Sequence, residues 1–94
     1  MAPSCATDRR WPQFAIRSPI DGNPASVGNG TQVSFAAPNR KAVEEAWNAA
    51  ITNKGTDDGE PGLRPRYASD FFADYCRDPE GNKLCFVHAG ELTL

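Results

Sequence analysis

The sequence predicts an α+β fold in which one main helix packs on one face of a mixed β-sheet, in the order β-α-β-β-β. Three observations support this prediction: an alternating segment at residues 31–37, an amphipathic helical pattern directly after it, and two aromatic-rich segments on either side of a turn at residues 78–83. A chain of 94 residues is long enough for one small domain.

The N-terminal part of the chain is predicted to be mostly irregular. Residues 1–10 carry Pro, Ser, Thr and charged residues without periodicity, which is typical of a loose tail, and the single domain is predicted to span residues 11–94. Apolar residues alternate in residues 11–17, and Pro12 lies near the start, so this segment predicts a short edge strand. Residues 18–30 are rich in Pro, Gly, Asn and Ser and predict a surface loop.

The best-defined elements are a strand and the helix that follows it. In the strand at residues 31–37, Val33 and Phe35 share the face that we expect to meet the helix. Asn39 is a good helix N-cap, and Gly55 suits the left-handed position after the last helical turn. The helix is predicted from apolar residues at helical spacing: Val43, Ala46, Trp47, Ala50 and Ile51.

The C-terminal half predicts a loop, a short strand and a hairpin. Residues 56–65 hold acidic residues, Gly and Pro and predict a loop, and residues 66–68 predict a short strand. Two further strands are expected at residues 71–76 and 84–88, joined by a turn at residues 78–83 whose Pro and Gly have the positions that a tight turn requires.

One face of the predicted sheet is left without a helix. Gln32, Ser34, Ala36 and Cys85 are predicted to line it, so this face must meet either a ligand or another copy of the chain.

Charge and cysteine content exclude several classes of function. The formal net charge is −2 and no basic run is present, which argues against a nucleic-acid or acidic-membrane partner. Three cysteines without CxxC spacing indicate reduced thiols rather than a disulfide scaffold, although Cys76 and Cys85 could lie close across the hairpin. No apolar stretch has the length of a signal peptide core or a membrane span, so we expect a cytoplasmic protein.

Four segments in a fixed order resemble one known superfamily. They are GNGTQVSFAA at residues 28–37, the helix around Val43, GEPGLRP at residues 59–65 and RDPEGNK at residues 77–83. This order resembles the vicinal oxygen chelate superfamily, which includes glyoxalase I, bleomycin-resistance proteins and extradiol dioxygenases. The resemblance covers about two-thirds of the chain as a complete βαβββ module at residues 28–89. The predicted strand at residues 11–17 resembles the last strand of a preceding module, so the chain looks like a truncated member.

The resemblance implies a cavity between paired modules that contains a divalent metal ion. In metal-dependent members a His or Gln on the first strand of a module stands where Gln32 is, and a Glu on its last strand stands where Cys85 is. Gln32 and Cys85 are therefore the implied metal ligands, although Cys85 replaces a hard carboxylate with a soft thiol. The implied chemistry is that of a lyase or isomerase of the glyoxalase type, in which the metal polarises a substrate oxygen.

Four residues are candidates for contact with a small organic ligand. Arg64, Arg66 and Tyr67 are expected at the mouth of the cavity, where an arginine could hold a carboxylate or phosphate. The alternative for the arginines is a surface salt bridge to a nearby acidic residue of the loop. Ser34 is the fourth candidate, on the uncovered face.

Two further titratable residues have a functional and a structural interpretation. His88 could be a catalytic base, but a half-exposed position at a strand end, on the face opposite to Cys85, is the expected one. Asp74 shares a face with Phe72 and Cys76 and is either a buried acid or, as we expect, a solvated edge residue.

The sequence leaves three functions open and identifies no catalytic residue. The chain is either a metal-dependent enzyme of the glyoxalase type, a metal-free protein that sequesters its ligand, or a purely structural dimer. A homodimer is expected in each case, because two copies would cover the free sheet face.

Overall fold

A computed structural model describes residues 14–90 and confirms the predicted α+β fold. Its elements are β1 (Gln32–Ala36), α1 (Arg40–Thr52), β2 (Thr56–Leu63), β3 (Phe72–Arg77) and β4 (Lys83–His88). They form a four-stranded sheet in the order β1-β4-β3-β2. The sheet is mixed, because β1 runs parallel to β4 whereas the other two strand pairs are antiparallel. None of the helices in this described part is long and apolar enough to cross a membrane.

Helix α1 begins where the sequence predicts and ends differently. The Asn39 side-chain oxygen accepts a hydrogen bond from the backbone N–H of Ala42 at 2.8 Å, which is the expected N-cap. At the other end, Lys54 takes the left-handed conformation, with φ 75°, and Gly55 does not. Gly55 is needed for a different reason: a Cβ there would lie 2.7 Å from the carbonyl oxygen of Ala50.

The hairpin between β3 and β4 has the predicted turn. Gly81 has a φ of 94°, and its N–H donates to the carbonyl oxygen of Asp78 at 2.8 Å. The carboxylate of Asp78 accepts hydrogen bonds from both the backbone and the side-chain N–H groups of Asn82, at 2.8 and 2.9 Å. The turn is therefore stabilised by its own side chains, as its sequence indicates.

The interpretation of residues 56–65 as a loop is wrong. Residues Thr56–Leu63 form β2 and pair with β3, although their sequence, TDDGEPGL, lacks aromatic residues and has a single β-branched residue. The pairing is irregular between Asp57 and Gly59 and again between Gly59 and Gly62. The strand exists because β3 offers it backbone partners, not because of its own strand preference.

Two other predicted strands are absent in those of their residues that the structure describes. Residues 66–68, expected to form a strand, lie in a turn and in the short connection to β3. Of the strand expected at residues 11–17, residues 14–17 belong to no strand, and residues 11–13 lie outside the described residues, as does the expected tail at residues 1–10. The ring of Phe14 nevertheless contacts the ring of Phe35 edge-on, with 5.2 Å between centroids.

The strand register assigns each side chain to one of two faces. The face packed against α1, called here the helix face, carries Val33, Phe35, Phe72, Asp74, Cys76, Leu84, Phe86 and His88. The opposite face, called here the distal face, carries Gln32, Ser34, Ala36, Gly59, Gly62, Ala73, Tyr75, Arg77, Lys83, Cys85 and Val87.

Buried residues lie on both faces of the sheet. On the distal face, Ala73, Cys85 and Val87 form a buried cluster with Phe71 and Tyr75 packed against it. A second group of buried residues lies between α1 and the helix face. Val43 of α1 is fully buried, and the guanidinium of Arg40 lies 5.1 Å from the centre of the Phe72 ring. Asp74 and Cys76 are also fully buried, so the expected solvated position of Asp74 is wrong. The expectation that Val33 and Phe35 face the helix is consistent with this arrangement, and each is half-buried.

Candidate functional site

The centre of the distal face is a group of small, neutral polar side chains from three adjacent strands. Ser34 of β1 is in register with Cys85 of β4, which is in register with Tyr75 of β3. Gln32, two residues before Ser34, donates a hydrogen bond from its side-chain amide to the Ser34 hydroxyl at 3.1 Å. Ala73 lies beside these residues and is fully buried, because Phe71 and Tyr75 pack against the cluster that it forms with Cys85 and Val87.

Cys85 is the buried centre of this group. Its side chain is 2% exposed. Burial raises the pKa of its thiol, and the neighbouring hydroxyls of Ser34 and Tyr75 and the guanidinium of Arg64 only partly oppose that rise. The side chain is therefore a protonated thiol near pH 7 and not a thiolate. Cys76 lies on the other face of the sheet, and both thiols are free, so the approach across the hairpin that the sequence allows does not occur.

Arg64 lies flat on the distal face beside Tyr75. Its guanidinium carbon is 5.4 Å from the centre of the Tyr75 ring, and one guanidinium N–H donates to the backbone carbonyl of Glu60 at 2.8 Å. Two glycines of β2 provide the space: a Cβ on Gly59 or Gly62 would lie 3.3 or 3.1 Å from a guanidinium nitrogen. The arginine is thus half-buried over a strip of backbone that has no side chains.

Three charged residues form the rim on the hairpin side. The carboxylate of Asp58 forms an ion pair with the ammonium group of Lys83 at 2.9 Å and another with the guanidinium group of Arg77 at 3.5 Å. The hydrogen bond from Lys83 is the main cause that lowers the pKa of Asp58. The ammonium of Lys83 is also 5.4 Å from the centre of the Tyr75 ring, so Tyr75 lies between two cations, Lys83 and Arg64.

Comparisons with known proteins fit this arrangement. The chain is similar to a glyoxalase/bleomycin resistance protein from Albidiferax ferrireducens T118, with 40% sequence identity over 76% of this chain and 56% of that chain, and a TM-score of 0.68. This similarity supports the resemblance to the vicinal oxygen chelate superfamily. A second solved structure, hypothetical protein SA1046 from S. aureus, has 18% identity over 66% of this chain and 51% of that chain, with a TM-score of 0.57, and supports the fold alone.

The chain spans a little more than half the length of each of these two proteins. No family profile matches the chain, and no curated protein sequence does.

The superfamily implies a metal ion between Gln32 and position 85, and the residues present do not fit one well. They offer one amide oxygen and one protonated thiol, whereas Mg, Mn and Ni sites of this superfamily use a carboxylate at that position. Within residues 14–90, no group of three His, Cys, Asp or Glu side chains is arranged to hold a metal ion. A soft ion such as Zn²⁺ would first have to remove the proton from a thiol whose pKa is raised by burial.

The remaining candidates lie away from the centre of the distal face. Arg66 and Tyr67 are exposed in the turn after β2, where the guanidinium of Arg66 lies 5.3 Å from the centre of the Tyr67 ring. The centre of the Tyr67 ring lies 5.1 Å from the centre of the Phe71 ring, and Phe71 packs against the buried cluster of the distal face. His88 lies on the helix face, with Nδ1 3.0 Å from the carbonyl oxygen of Ala37, which is a structural contact.

Asp74 has an unusual environment for a carboxyl group. It is fully buried on the helix face, and neither of its oxygens has a hydrogen-bond partner. Burial raises its pKa to about 7, and the nearby backbone of Phe86 and the charge of Arg64 offset only part of that rise. Because it is enclosed under the helix, Asp74 cannot reach a ligand on the distal face.

The sequence identified Gln32, Ser34, Cys85 and Arg64, which the structure brings onto one face, but missed Tyr75 and Lys83. Alternation in β3 and β4, taken together with the hairpin turn, would have placed Tyr75 opposite Cys85. A separate groove of about 1130 Å³, between residues 14–28 and the hairpin turn, contains none of the four.

Proposed function

We propose that the chain binds a small organic molecule on its distal face without a metal ion and without chemical turnover. The observation that carries this proposal is the set of neutral polar groups at the centre of that face: the exposed Gln32 amide and Ser34 hydroxyl, beside the half-buried Tyr75 phenol and the buried Cys85 thiol. These groups provide neutral hydrogen bonds for a ligand, but they provide neither a carboxylate for a metal nor a side chain with the pKa of a general base.

A second copy of the chain completes the binding site in this proposal. The distal face is a single layer with a half-buried tyrosine and two cations, and a ligand lying on it would be covered from one side only. Small-molecule sites in proteins enclose most of the ligand surface. The pairing of two modules in the superfamily provides the cover, which is why we propose a homodimer.

Metal content and ligand binding, measured together, test the proposal. Protein purified without chelator should contain well under one metal ion per chain by elemental analysis, and added Zn²⁺, Ni²⁺ or Mn²⁺ should not change its melting temperature. In a screen of small organic molecules, those that bind should shift backbone amide resonances of Gln32, Ser34 and Cys85.

A variant pair distinguishes the distal face from the rest of the surface. Ser34→Phe fills the centre of the face and should abolish binding, whereas Asn48→Phe, at an exposed position of α1, should leave it unchanged. One bound metal ion per chain that is lost in Cys85→Ser would instead support the metal-dependent lyase that the superfamily resemblance implies. Absence of both metal and ligand, with a stable dimer, would support the purely structural role.

A further inference from the structure

We propose that the ligand of the distal face is an organic oxyanion, a carboxylate or phosphate attached to an apolar or planar group, and that Arg64 is its anion contact. This inference rests on the proposed function, since it names the class of molecule that the same face binds. Its support is the position of Arg64 against the glycines of β2, the ion pairing of the neighbouring charged residues, and the Tyr75 ring beside the guanidinium.

The first observation is that β2 is shaped to hold Arg64 in place. Gly59 has a φ of 151°, and Gly62 follows three residues later, and the guanidinium lies against both. Any side chain at Gly62 would have its Cβ 3.1 Å from a guanidinium nitrogen, which is closer than nearly all such contacts in proteins. The backbone carbonyl of Glu60 then fixes the orientation of the arginine through a hydrogen bond of 2.8 Å.

The second observation is that Arg64 forms no ion pair with an acidic side chain among the described residues, although its charge acts through the sheet on the buried Asp74. Both ion pairs formed within residues 14–90 use Asp58, and their cations are Lys83 and Arg77. Arg64 makes its hydrogen bonds to backbone carbonyls of β2, at Glu60 and, over a longer distance, at Leu63. A guanidinium has five N–H donors, so several remain for a ligand, and a half-buried, fixed arginine suits a planar oxyanion.

The third observation is the environment next to the guanidinium. The Tyr75 ring is half-buried beside Arg64 and offers an apolar surface for the rest of the ligand. Beyond it lie the neutral donors and acceptors of Ser34 and Gln32. An oxyanion on a ring or short chain would therefore meet a positive charge at one end and neutral hydrogen bonds at the other.

A matched pair of fluorescent probes tests the inference on the full chain. Anilinonaphthalene sulfonate carries an oxyanion on an aromatic system, and N-phenylnaphthylamine has the same ring system without the charge. We expect the sulfonate to bind about tenfold more tightly than the neutral probe, the size of effect that one hydrogen bond to a charged group provides. Benzoate and phenylphosphate, added as competitors, then show which oxyanion the site prefers.

Two variants and one control locate the effect at Arg64. Arg64→Ala should remove the preference for the sulfonate, and Gly62→Ala, which keeps the charge but displaces the guanidinium, should reduce it. Gly62 has no positive φ, so alanine fits its backbone. Arg17→Ala removes the same charge from an exposed arginine whose one hydrogen bond among the described residues is to its neighbour Ser18, and should change nothing.

The outcomes separate this inference from the proposed function. Equal binding of the two probes, with no effect of Arg64→Ala, would overturn the oxyanion assignment and leave ligand binding intact, provided that Ser34→Phe still abolishes it. Binding that survives Ser34→Phe, or no binding of either probe, would overturn both. A preference that persists in Arg64→Ala would show that another cation is the contact.

Discussion

Asp74 combines full burial with the absence of any hydrogen-bond partner, which is a costly state for a carboxylate. Its pKa is raised from 3.8 to about 7. An acid whose pKa is higher in the folded than in the unfolded state binds more protons when folded. Its contribution to stability is therefore most favourable below pH 4 and is lost as the pH rises toward 7.

The variant Asp74→Asn should abolish this pH dependence. At about 1.4 kcal/mol per pKa unit, the free energy of unfolding of the wild type should fall, relative to the variant, by on the order of 4 kcal/mol between pH 4 and pH 8. Urea unfolding of both proteins across this range measures the difference. A constant difference at all pH values would show that Asp74 does not titrate as its environment indicates.

The two buried thiols are predicted to be unreactive in the folded protein. Burial raises the pKa of both Cys76 and Cys85, and neither thiol is exposed. In a Cys5→Ser background, Ellman's reagent at pH 7.5 should react with neither cysteine until the protein is unfolded. Rapid reaction of one thiol in the native protein would mean that the sheet face covering it opens easily.

Alternation along a strand shows which residues share a face, but not which face it is. The sequence grouped Asp74 with Phe72 and Cys76 correctly and could not place the group under the helix. Tyr75 is a different case, because the hairpin turn fixes its register with Cys85 and the sequence does contain that turn. Which face of the sheet meets the helix depends on tertiary contacts that a single sequence does not contain.

The end of helix α1 offers a test at the scale of an element. Lys54 adopts φ 75°, a conformation that is unfavourable for a residue with a side chain, while Gly55 is confined by backbone atoms. Lys54→Gly should stabilise the protein by about 1 kcal/mol, and Gly55→Ala should destabilise it by more than that. Chemical denaturation measures both, and Lys41→Gly near the start of the helix is the control that should destabilise.

Strand β2 shows where prediction from sequence stops at this scale. The helix and the β3-β4 hairpin were predicted because the local sequence favours them: an N-cap, apolar residues at helical spacing and a turn with Pro and Gly. The sequence of β2 favours a loop, and only its pairing with β3 makes it a strand. The glycines that made this segment look like a loop are those that the Arg64 guanidinium lies against. The position of Arg64 over β2 therefore could not be predicted either.

Dimer formation is the prediction for the molecule as a whole. If a second copy covers the distal face, a large charged side chain at Ala36, an exposed distal-face position of β1, should prevent association. Sedimentation velocity of Ala36→Arg should show a monomer where the wild type is a dimer, whereas Asn48→Arg on α1 should remain dimeric. A wild-type monomer at micromolar concentration would contradict the proposed assembly.

The composition of β2 also limits how copies of this chain can aggregate. Strand β2 is an edge of the sheet, and an exposed edge normally offers its backbone to any neighbouring strand. Here the edge carries Asp57, Asp58, Glu60 and Pro61 and is irregular at two points. Acidic residues repel an identical edge, and proline removes a donor, so this border of the sheet protects the molecule against fibril-like growth.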